Sequence, residues 1–384
     1  MLLFKKKSLL NIFTVIKKYI FSIDILLLII PIGLSIFGIF MINSATANSS
    51  IWGRSVTVQI IALFLGFIAM IIISKIDYDI LCELSIIIVV VSFIILIATA
   101  VFAQSVNGNR NWLNLGFFNL QTSEFTKIAF AITFSTHLKK VGERLNKPFN
   151  VFLLCLHFCV YFIPIILQED IGTALIYLGM LLIVLFVAGI YYRYIIISFV
   201  SLVGSVPFIW EFLKPYQQKR ILFGLQPELD PLGVGYQPLV SRMALGSGQM
   251  NGLGYGQGIQ TQNDLLPASH TDFIYSIIGE EFGFIISITV LIALIIIILI
   301  IAKNAFKAKD KEGYYICIII AAMIFTQSLI NIGMCIGITP VIGVTLPFLS
   351  YGGSSILSLF LALGLVQSVR IKPEKSLKFS INNS

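Results

Sequence analysis

The sequence predicts an all-α polytopic membrane protein with about ten transmembrane helices, cytoplasmic N and C termini, and a large extracytoplasmic loop between helices seven and eight. Hydrophobic residues make up 58% of the 384 residues and charged residues only 11%, and the 26 Lys and Arg residues are unevenly distributed. A soluble domain of this size could not keep that composition in water. Most of the chain is therefore expected to be surrounded by lipid.

Ten apolar runs are long enough to cross a bilayer, whose core of about 30 Å needs roughly 20 residues of helix. They lie near residues 23–43, 56–74, 84–103, 122–138, 150–168, 171–189, 194–213, 273–302, 313–338 and 345–369. The fourth run is the least apolar. Strands of a membrane barrel are about half this long and alternate in polarity, so the pattern indicates an α-helical bundle.

The distribution of Lys and Arg predicts the orientation, because cytoplasmic loops carry an excess of positive charge. With Met1 in the cytoplasm, 19 of the 26 Lys and Arg residues fall in inner segments. The outer segments and the outer end of the fourth helix hold the other seven, which are Arg54, Arg110, Lys127, Lys214, Lys219, Arg220 and Arg242. Ten spans then return the C-terminus to the cytoplasm.

This topology divides the chain into a cytoplasmic tail at 1–22, a ten-helix domain at 23–369 that includes the extracytoplasmic loop 214–272, and a second tail at 370–384. The Lys-rich start resembles a signal peptide, but the apolar run after it is long and lacks a small-residue cleavage site. We expect it to be retained as the first helix. The net charge of +8 is spread over short inner loops and tails, so orientation explains it and no nucleic-acid partner is predicted.

The five cysteines predict neither a disulfide framework nor a metal site. They lie in or beside apolar runs without metal-type spacing, and none falls in the long outer loop. Cys155, His157 and Cys159 are neighbours in sequence, but positions i, i+2 and i+4 do not share one helix face. We expect these side chains to pack in the bundle, and the sequence predicts no metal ligands.

Two outer segments, 104–122 and 214–272, interrupt the apolar pattern. The longer one contains Tyr, Leu, Met and paired charges besides glycine, which favours an ordered loop packed on the membrane surface, since long loops are usually functional or disordered. Its glycine run at 246–258 matches neither nucleotide-binding fingerprint. Turns that use the free φ of glycine are favoured over backbone contact with an anion, and both interpretations stay open.

Ionisable residues at membrane depth are costly and are therefore candidates for function. Asp272 begins the eighth helix, where the helix dipole also favours an acid; Glu280 lies about 80° from it around the helix and could share its cavity. Glu124 and Lys127 are spaced i, i+3 and could neutralise each other. Asp170 could cap the sixth helix.

Several cations on the outer side are candidates for binding an anionic ligand, namely Arg110, Lys127, Lys219, Arg220 and Arg242. Arg forks and Lys point charges suit phosphate oxygens, although surface loops often carry basic residues without a role. Trp112 could stack on a sugar or anchor at the interface, which is the commoner role. Pro347, Gly352 and Gly353 interrupt the tenth run and indicate close packing or a cavity wall.

Five long motifs occur in order along the chain. They read N-R-N-W-L-N-L-G-F-F-N-L-Q-T-S-E-F-T-K at 109–127, Q-E-D-I-G-T-A-L at 168–175, D-P-L-G-V-G-Y-Q at 230–237, L-P-A-S-H-T-D-F-I at 266–274 and L-P-F-L-S-Y-G-G-S-S at 346–355. Together they resemble the SEDS family of shape, elongation, division and sporulation proteins. The G-I-Q-T-Q-N-D-L-L-P stretch at 258–267 is more similar to the RodA-like elongation branch than to the division branch. The sequence departs from the family at Glu169, which often is Pro, and at Asn109 and Asn111, which flank Arg110.

The resemblance implies a peptidoglycan glycosyltransferase of the bacterial cytoplasmic (inner) membrane that polymerises lipid II and works with a class B penicillin-binding transpeptidase. Making a β-1,4 link from an α-linked sugar diphosphate inverts the anomeric carbon, so the attacking 4-hydroxyl must lose its proton to a base. A glycosidase needs a second, protonated carboxyl for its poor leaving group. Diphosphate leaves as a stable anion, so one acid among several cations suits this reaction.

Asp272 is therefore predicted to be the catalytic base. The predicted substrate-binding residues are Arg110, Trp112, Glu124, Lys127, Asp170, Arg220 and Glu280. No cofactor is required by the sequence, although a divalent cation such as Mg²⁺ could bridge the diphosphate. The expected partners are lipid II, the growing glycan strand, the transpeptidase and membrane lipid.

Three alternative functions stay open. A lipid II flippase would need polar groups through the membrane midplane, whereas the central and inner parts of the predicted helices are nearly free of ionisable residues. A scaffold that only recruits a transpeptidase would leave the outer acid without a task. A division-type member of the family is the third alternative. Among these interpretations the enzyme of the elongation branch is favoured.

Overall fold

The computed structural model describes residues 23–371, apart from residues 50, 104–109, 115–118 and 214. The tail predicted at 1–22 and all but the first two residues of the tail predicted at 370–384 lie outside these ranges. A two-stranded antiparallel sheet, β1 (Trp112–Asn114) and β2 (Asn119–Gln121), is the only sheet among the described residues. The rest of the described chain consists of helices and their connections.

Fourteen α-helices follow one another in the described chain, and ten of them have 17 residues or more. They are α1 (Leu26–Thr46), α2 (Trp52–Lys75), α3 (Tyr78–Glu83), α4 (Ser85–Phe102), α5 (Thr122–Val141), α6 (Pro148–Leu167), α7 (Ile171–Val187), α8 (Tyr192–Phe212), α9 (Pro215–Leu225), α10 (Tyr236–Ser247), α11 (Ile259–Gln262), α12 (Ile274–Ala305), α13 (Lys311–Ile336) and α14 (Gly353–Ile371). A long helix lies in each of the ten apolar runs.

Within the part of the chain that the structure describes, seven helices are long and apolar enough to cross a membrane by length and composition: α1, α2, α4, α6, α12, α13 and α14. The protein is therefore a polytopic helical membrane protein. Helix α7 is apolar but shorter. Helix α5 differs because 13 of its 20 residues are buried, so it contacts protein on most sides and tolerates the polar residues that make its run the least apolar.

Helices α13 and α14 form the centre of the bundle. In their most apolar stretches 78% of the residues are buried, against 22% in α2 and α4. Helix α14 packs most extensively on α2, and a Cβ on Gly364 would lie 2.8 Å from the carbonyl oxygen of Met70. Small residues of this kind allow membrane helices to approach closely.

The loop predicted at 214–272 is ordered over its described residues and contains the helices α9, α10 and α11. Gly252, Gly254 and Gly256 have positive φ angles, so the turn interpretation of the glycine run is confirmed. A Cβ on Gly248 would overlap the carbonyl oxygen of Gly279. The glycine run therefore also lets the loop backbone pack directly on α12.

Helix α12 is kinked where this loop contacts it. Gly283 has a φ of 73° inside the helix, and the N–H of Phe284 donates to the carbonyl of Gln249 at 2.8 Å instead of continuing the helical pattern. The N–H of Leu253 donates to the carbonyl of Glu280 at 3.0 Å. Kinks arise where another group inserts into the helical hydrogen bonds, and here that group is the loop backbone.

Helix α13 defines two ends of the bundle, about 39 Å apart at 1.5 Å per residue. At its N-terminal end, which we call the Lys139 end, Lys139 pairs with Asp310 at 3.7 Å and with Glu312. At its C-terminal end, which we call the Asp272 end, Asn331 donates to the carbonyl oxygen of Asp272 at 2.8 Å. Most of the polar motifs of the sequence lie at the Asp272 end.

Candidate active site

Asp272 lies in the turns that lead from the long loop into α12. Its N–H donates to the carbonyl of Ala268 at 3.0 Å, and helix α12 begins two residues later at Ile274. The Asp272 side chain is half-buried. Asp272 is therefore placed by a compact local turn and remains partly exposed.

Asn331 of α13 fixes the backbone of Asp272. Its Nδ2 donates to the carbonyl oxygens of Asp272 at 2.8 Å and of Val344 at 2.6 Å, and Asn331 is fully buried. Because an unsatisfied buried carbonyl costs more than a typical hydrogen bond contributes, this amide strongly favours the observed arrangement. It joins α13 to the turns around Asp272 and to the segment that follows α13.

The segment between α13 and α14 is irregular and forms a support for the turns around Asp272. Gln59 of α2 donates to the carbonyl of Ser350 at 3.0 Å and accepts from the N–H of Gly352 at 3.1 Å. The N–H of Tyr351 donates to the carbonyl of His270 at 2.9 Å. These contacts position residues 346–352 against residues 266–273.

The run predicted to start the tenth helix at 345 is helical only from Gly353, so that boundary was wrong by eight residues. Pro347, which has no N–H to donate, lies in this stretch, and side chains bind the surrounding backbone. The N–H of Leu346 donates to the hydroxyl of Ser350 at 2.8 Å, and Gln327 donates to Thr345 at 3.1 Å. Side-chain bonds of this kind compete with helix formation.

Two glycines bring α7 and the Asp272 carboxylate to the same place. A Cβ on Gly343, whose φ is +70°, would lie 3.6 Å from Oδ2 of Asp272. A Cβ on Gly172, in the first turn of α7, would lie 2.7 Å from the carbonyl oxygen of Ile342. The N-terminus of α7 therefore packs on the segment that borders Asp272.

Asp170 caps α7, as the sequence allowed. Its carboxylate accepts from the N–H and hydroxyl of Thr173 at 3.0 and 2.9 Å. It also accepts from Asn111 at 2.8 Å and from Gln121 at 3.1 Å. Asp170 is buried and joins the β1–β2 hairpin to the helix, while its predicted contact with substrate stays a prediction.

Arg110 and Trp112 lie at the start of this hairpin. The N–H of Arg110 donates to the carbonyl of Gln168 at 2.9 Å, and its side chain is exposed. Trp112 is half-buried and pairs with Gln121 in the sheet. Both side chains are accessible at the Asp272 end, so their predicted roles remain compatible with their positions.

Glu124 and Lys127 form an ion pair inside the bundle, as their spacing allowed. Nζ of Lys127 lies 2.8 Å from Oε1 of Glu124, and the exposed fractions of the two side chains are 0% and 6%. Ser358 of α14 donates to the other carboxylate oxygen at 2.9 Å, and Nζ lies 3.5 Å from Oε1 of Gln327. The pair is enclosed by protein, and its contact with substrate stays a prediction.

Glu280 holds the long loop rather than facing solvent. Its carboxylate accepts from the N–H groups of Gln260 at 2.7 Å and Thr261 at 3.1 Å, and from the hydroxyl of Thr261 at 2.6 Å. These are N–H groups of the first turn of α11, which need such acceptors. Glu280 is fully buried, and the cavity that it could share with Asp272 stays a prediction.

The basic residues of the long loop differ in whether they form ion pairs and hydrogen bonds within the protein. Arg242 pairs with Glu228 at 3.1 Å and donates to the carbonyl of Gly337 at 3.2 Å, so it stabilises the C-terminus of α13. Lys219 on α9 is exposed. Arg220 lies on the same helix, but its side chain and all of Lys214 are outside the described residues.

Sequence reasoning missed a cluster formed by His270, Tyr351 and Arg54. The His270 and Tyr351 rings lie 5.5 Å apart. Burial lowers the pKa of His270 below its ordinary value of 6.5, so the ring is neutral at pH 7. Burial raises the pKa of Tyr351, and the nearby positive charge of Arg54 opposes that shift. Three distant segments meet here, and only the position of His270 two residues before Asp272 could have signalled it.

The arrangement can support proton abstraction at Asp272. Among the described acids discussed above, Glu124, Asp170 and Glu280 are buried, while Asp272 is half-buried. Exposed cations of the same end, Arg54 and Arg110, could attract an anionic substrate. The site is suited to an acid–base reaction on a negatively charged ligand.

A group of three acidic residues that could hold a metal ion is found at the opposite end. Ligand atoms of Asp79, Asp310 and Glu312 lie within 4.8 Å of one another. Lys139 pairs with Asp310 and Glu312, and Lys309 pairs with Asp79 at 3.7 Å. These lysines balance the charge, so the group is accounted for as an ion-pair network.

Comparison with known proteins gives consistent matches. A model of the cell cycle protein family of FtsW, RodA and SpoVE matches residues 24–375. A probable peptidoglycan glycosyltransferase FtsW of Wigglesworthia glossinidia brevipalpis is 35% identical over 357 residues, which cover 90% of this chain and 93% of that protein. Stage V sporulation protein E of Bacillus subtilis (strain 168) is 35% identical over 91% of this chain and 97% of its own length.

Further relatives include the peptidoglycan glycosyltransferase MrdB of Escherichia coli (strain K12), which is 35% identical over 73% of this chain and 76% of its own length. A chain from a peptidoglycan synthase complex that coordinates polymerization and crosslinking superimposes with a TM-score of 0.79 and 27% identity, covering 91% of this chain and 97% of that chain. The rod shape determining protein RodA of Thermus thermophilus gives a TM-score of 0.70 at 22% identity, over 92% of this chain and 98% of that chain. The last match supports the fold alone.

Proposed function

Because this chain belongs to the FtsW, RodA and SpoVE family of cell cycle proteins and is a peptidoglycan glycosyltransferase, we propose that it polymerises lipid II with Asp272 as catalytic base. The observation that carries this proposal is the placement of Asp272. Its backbone is fixed by Asn331 at 2.8 Å, while its carboxylate stays half-buried beside Gly343. A base must be rigidly placed and accessible to its substrate.

In the proposed reaction the 4-hydroxyl of one saccharide attacks the anomeric carbon of the other. The new C–O bond forms as the bond from that carbon to the diphosphate oxygen breaks, and the configuration inverts. The hydroxyl proton passes to the Asp272 carboxylate, and undecaprenyl diphosphate leaves with the bonding electron pair. Cations stabilise the negative charge that develops on the diphosphate.

The exposed cations of the Asp272 end are the proposed contacts for the diphosphate. Arg110 and Arg54 are exposed there, and Arg220 is carried by α9 at the same end. Trp112 would contact the saccharide. Lys127, Glu124, Asp170 and Glu280 also remain proposed substrate contacts, and contact with substrate would require a change in the buried hydrogen bonds that hold the helices and the loop in place.

In the proposed topology ten helices cross the bacterial cytoplasmic (inner) membrane, with both termini in the cytoplasm. The Lys-rich inner segments support this orientation, and it places the Asp272 end outside. The proposed boundaries are those predicted from the sequence, with tails at 1–22 and 370–384 and an extracytoplasmic loop at 214–272. Both substrates are tethered by lipid tails, so they would meet at that outer interface.

The proposed role is in cell elongation. The G-I-Q-T-Q-N-D-L-L-P stretch at 258–267 supports the RodA-like branch, while the matched relatives include FtsW, SpoVE and MrdB proteins. Expression of this chain in strains depleted of either the elongation or the division enzyme separates the two. Restoration of rod shape supports elongation, and restoration of septation alone contradicts it.

A class B penicillin-binding transpeptidase is the proposed partner. The structural match to a chain of a complex that coordinates polymerization and crosslinking supports it. Mg²⁺ at the diphosphate is a separate proposal. Addition of a chelator to the polymerisation reaction tests it. If Mg²⁺ binds the diphosphate, the chelator should lower the rate of polymerisation strongly; if Arg and Lys alone bind the diphosphate, the rate should not change.

The test of the proposed function uses the purified full-length protein, its transpeptidase and labelled lipid II. Glycan chains resolved on a gel are the expected product. The same protein in vesicles, with lipid II in one leaflet, is assayed for transfer to the other leaflet. Transfer without any polymer would contradict the proposal and favour the flippase, and absence of both activities with the partner present would favour the scaffold.

A further inference from the structure

A cavity at the Lys139 end, between α4, α5 and α6, is not used by the proposed reaction. Its volume is about 240 Å³, and its polar lining comprises Ser85, Thr133, Thr136, His137, Lys140 and His157. Ile86, Val89 and Val90 form its apolar side. Since α5 carries Lys139 next to Lys140, the cavity opens at the end of the bundle opposite Asp272.

A chain of hydrogen bonds leads into this cavity. The hydroxyl of Tyr161 lies 3.0 Å from Oγ1 of Thr133, which lies 3.2 Å from Nε2 of His157. Nδ1 of His157 lies 3.0 Å from Nδ1 of His137. The Thr133 hydroxyl is also within 3.4 Å of the carbonyl of Phe130, to which it donates, and each hydroxyl and ring nitrogen of the chain can serve as a donor or as an acceptor.

His137 is the last group of the chain. Its Nδ1 faces Nδ1 of His157, and among the described residues its Nε2 has no hydrogen-bond partner. Nε2 is therefore the ring atom of His137 that can hydrogen-bond to a ligand in the cavity.

Lys140 adds a positive charge at the same cavity. Its neighbour Lys139 pairs with Asp310 at 3.7 Å and with Glu312, whereas Lys140 is exposed and forms no ion pair within the described part of the chain. An uncompensated cation in a cavity with a polar lining favours an anion. The hydroxyls of Thr133 and Thr136 donate to helix carbonyls, so Ser85 is the lining hydroxyl that can donate to its oxygens.

The apolar side of the cavity indicates that the anion carries a hydrocarbon chain. Ile86 is 71% exposed and Val90 is 51% exposed on α4, a helix apolar enough to span the membrane. The volume of about 240 Å³ is below the roughly 300–1,000 Å³ of pockets for drug-sized ligands. A phosphate with a small headgroup fits this space, and a large saccharide headgroup does not.

We propose that this cavity binds the phosphate headgroup of an anionic phospholipid from the cytoplasmic leaflet, with an acyl chain along Ile86 and Val90. The proposal rests on the orientation given under the proposed function, in which the Lys139 end faces the cytoplasm. Basic pockets between helices on that side are known to hold anionic headgroups. Occupied, the site would join α4, α5 and α6.

Native mass spectrometry of the full-length protein in detergent tests this proposal. The protein is titrated with phosphatidylglycerol, with phosphatidylcholine of the same acyl chains, and with inorganic phosphate. Phosphatidylglycerol is expected to bind most tightly, and Lys140→Gln should weaken it about fivefold, the effect of one basic residue near anionic lipid. Equal binding of the two lipids, or displacement of lipid by millimolar phosphate, would overturn the proposal.

Two further variants distinguish the cavity from general charge at this end. Lys307→Gln removes an equally exposed charge between α12 and α13 that does not line the cavity, and binding should be unchanged. Val90→Trp fills the apolar side without changing charge and should abolish the phosphatidylglycerol adduct. Equal weakening by both lysine substitutions, or normal binding by Val90→Trp, would contradict the proposal. Because Asp272→Asn should bind this lipid normally, failure of the catalytic proposal would be seen separately.

Discussion

Two acidic regions at the Asp272 end of the bundle use their carboxylates in opposite ways. Glu124 is enclosed between α5 and α14, where Lys127 at 2.8 Å and Ser358 at 2.9 Å satisfy its two oxygens. Asp272 is held through its carbonyl oxygen by Asn331 at 2.8 Å, and its side chain is only half-buried. In the first arrangement the carboxylate is enclosed and stabilises the bundle, and in the second the backbone is fixed while the side chain remains partly exposed.

The comparison shows why counting charges in the sequence could not identify the reactive acid. The two members of a buried ion pair are inaccessible to substrate, and each is needed for stability because removing one leaves the other as an uncompensated charge. A reactive acid needs support that leaves its oxygens accessible. The predictions below separate stability from turnover at these two regions, beginning with the largest effect.

Lys127→Met should cause the largest loss of stability. It leaves the Glu124 carboxylate buried without its cation, and breaking such a pair costs about 3–5 kcal/mol. Thermal unfolding in detergent measures the loss. The matched control is Glu124→Gln combined with Lys127→Met, which removes both charges and should recover most of the stability; equal destabilisation by the single and double variants would show that the pair is not the source.

Asn331→Ala should affect both stability and turnover. It leaves the carbonyl oxygens of Asp272 and Val344 without their donor, which costs about 1–3 kcal/mol, and it releases the backbone of the base, so kcat should fall more than KM changes. Gln327→Ala is the control, since that amide on the same helix donates to Thr345 at 3.1 Å and not to Asp272. If both variants lower kcat equally, Asn331 has no specific effect on the base.

Arg54→Gln should have a smaller effect. The exposed guanidinium acts through solvent, where single charges contribute about 0.2–1 kcal/mol, so kcat/KM for lipid II should fall by about 1.4- to fivefold. The loss should shrink at high salt. Arg144→Gln, an exposed charge at the Lys139 end, should leave kcat/KM unaffected, and a similar change in both variants would argue against a local role.

The smallest expected effect is a pH dependence of stability from His270. Burial lowers its pKa below 6.5, so protonation favours the unfolded chain. Its contribution to stability is therefore complete above pH 6.5 and is lost as the pH falls from 6.5 through the folded-state pKa. Unfolding temperatures from pH 7.5 to 5 should fall more steeply for the wild type than for His270→Gln, and parallel curves would contradict the assignment.

Much of the fold could be predicted from hydropathy and charge. All ten apolar runs contain a long helix, because burial of backbone polar groups in lipid leaves few other solutions. The start of α14 could not be predicted, since it depends on bonds from Gln59 and Gln327, which are distant in sequence. The kink at Gly283 likewise depends on the loop backbone that packs there.

Site contacts between residues close in sequence could be predicted, and contacts that depend on tertiary packing could not. The cap formed by Asp170 and the pair of Glu124 with Lys127 follow from spacing along one helix or its start. The contact of Glu280 with α11 and the cluster of His270 with Tyr351 need the folded loop. His137 and His157 lie on different helices, and their 3.0 Å contact has no sequence pattern.

Turnover of Asp272→Asn tests the central claim most directly. It is compared with wild type and with Asp264→Asn, which makes the same change at an exposed position of the same loop. With the transpeptidase and saturating lipid II, Asp272→Asn should lower kcat by about 10²–10⁴-fold, the usual contribution of a general base, with an unfolding temperature equal to that of the control. Glycan chains formed by Asp272→Asn at the wild-type rate would show that Asp272 is not the base.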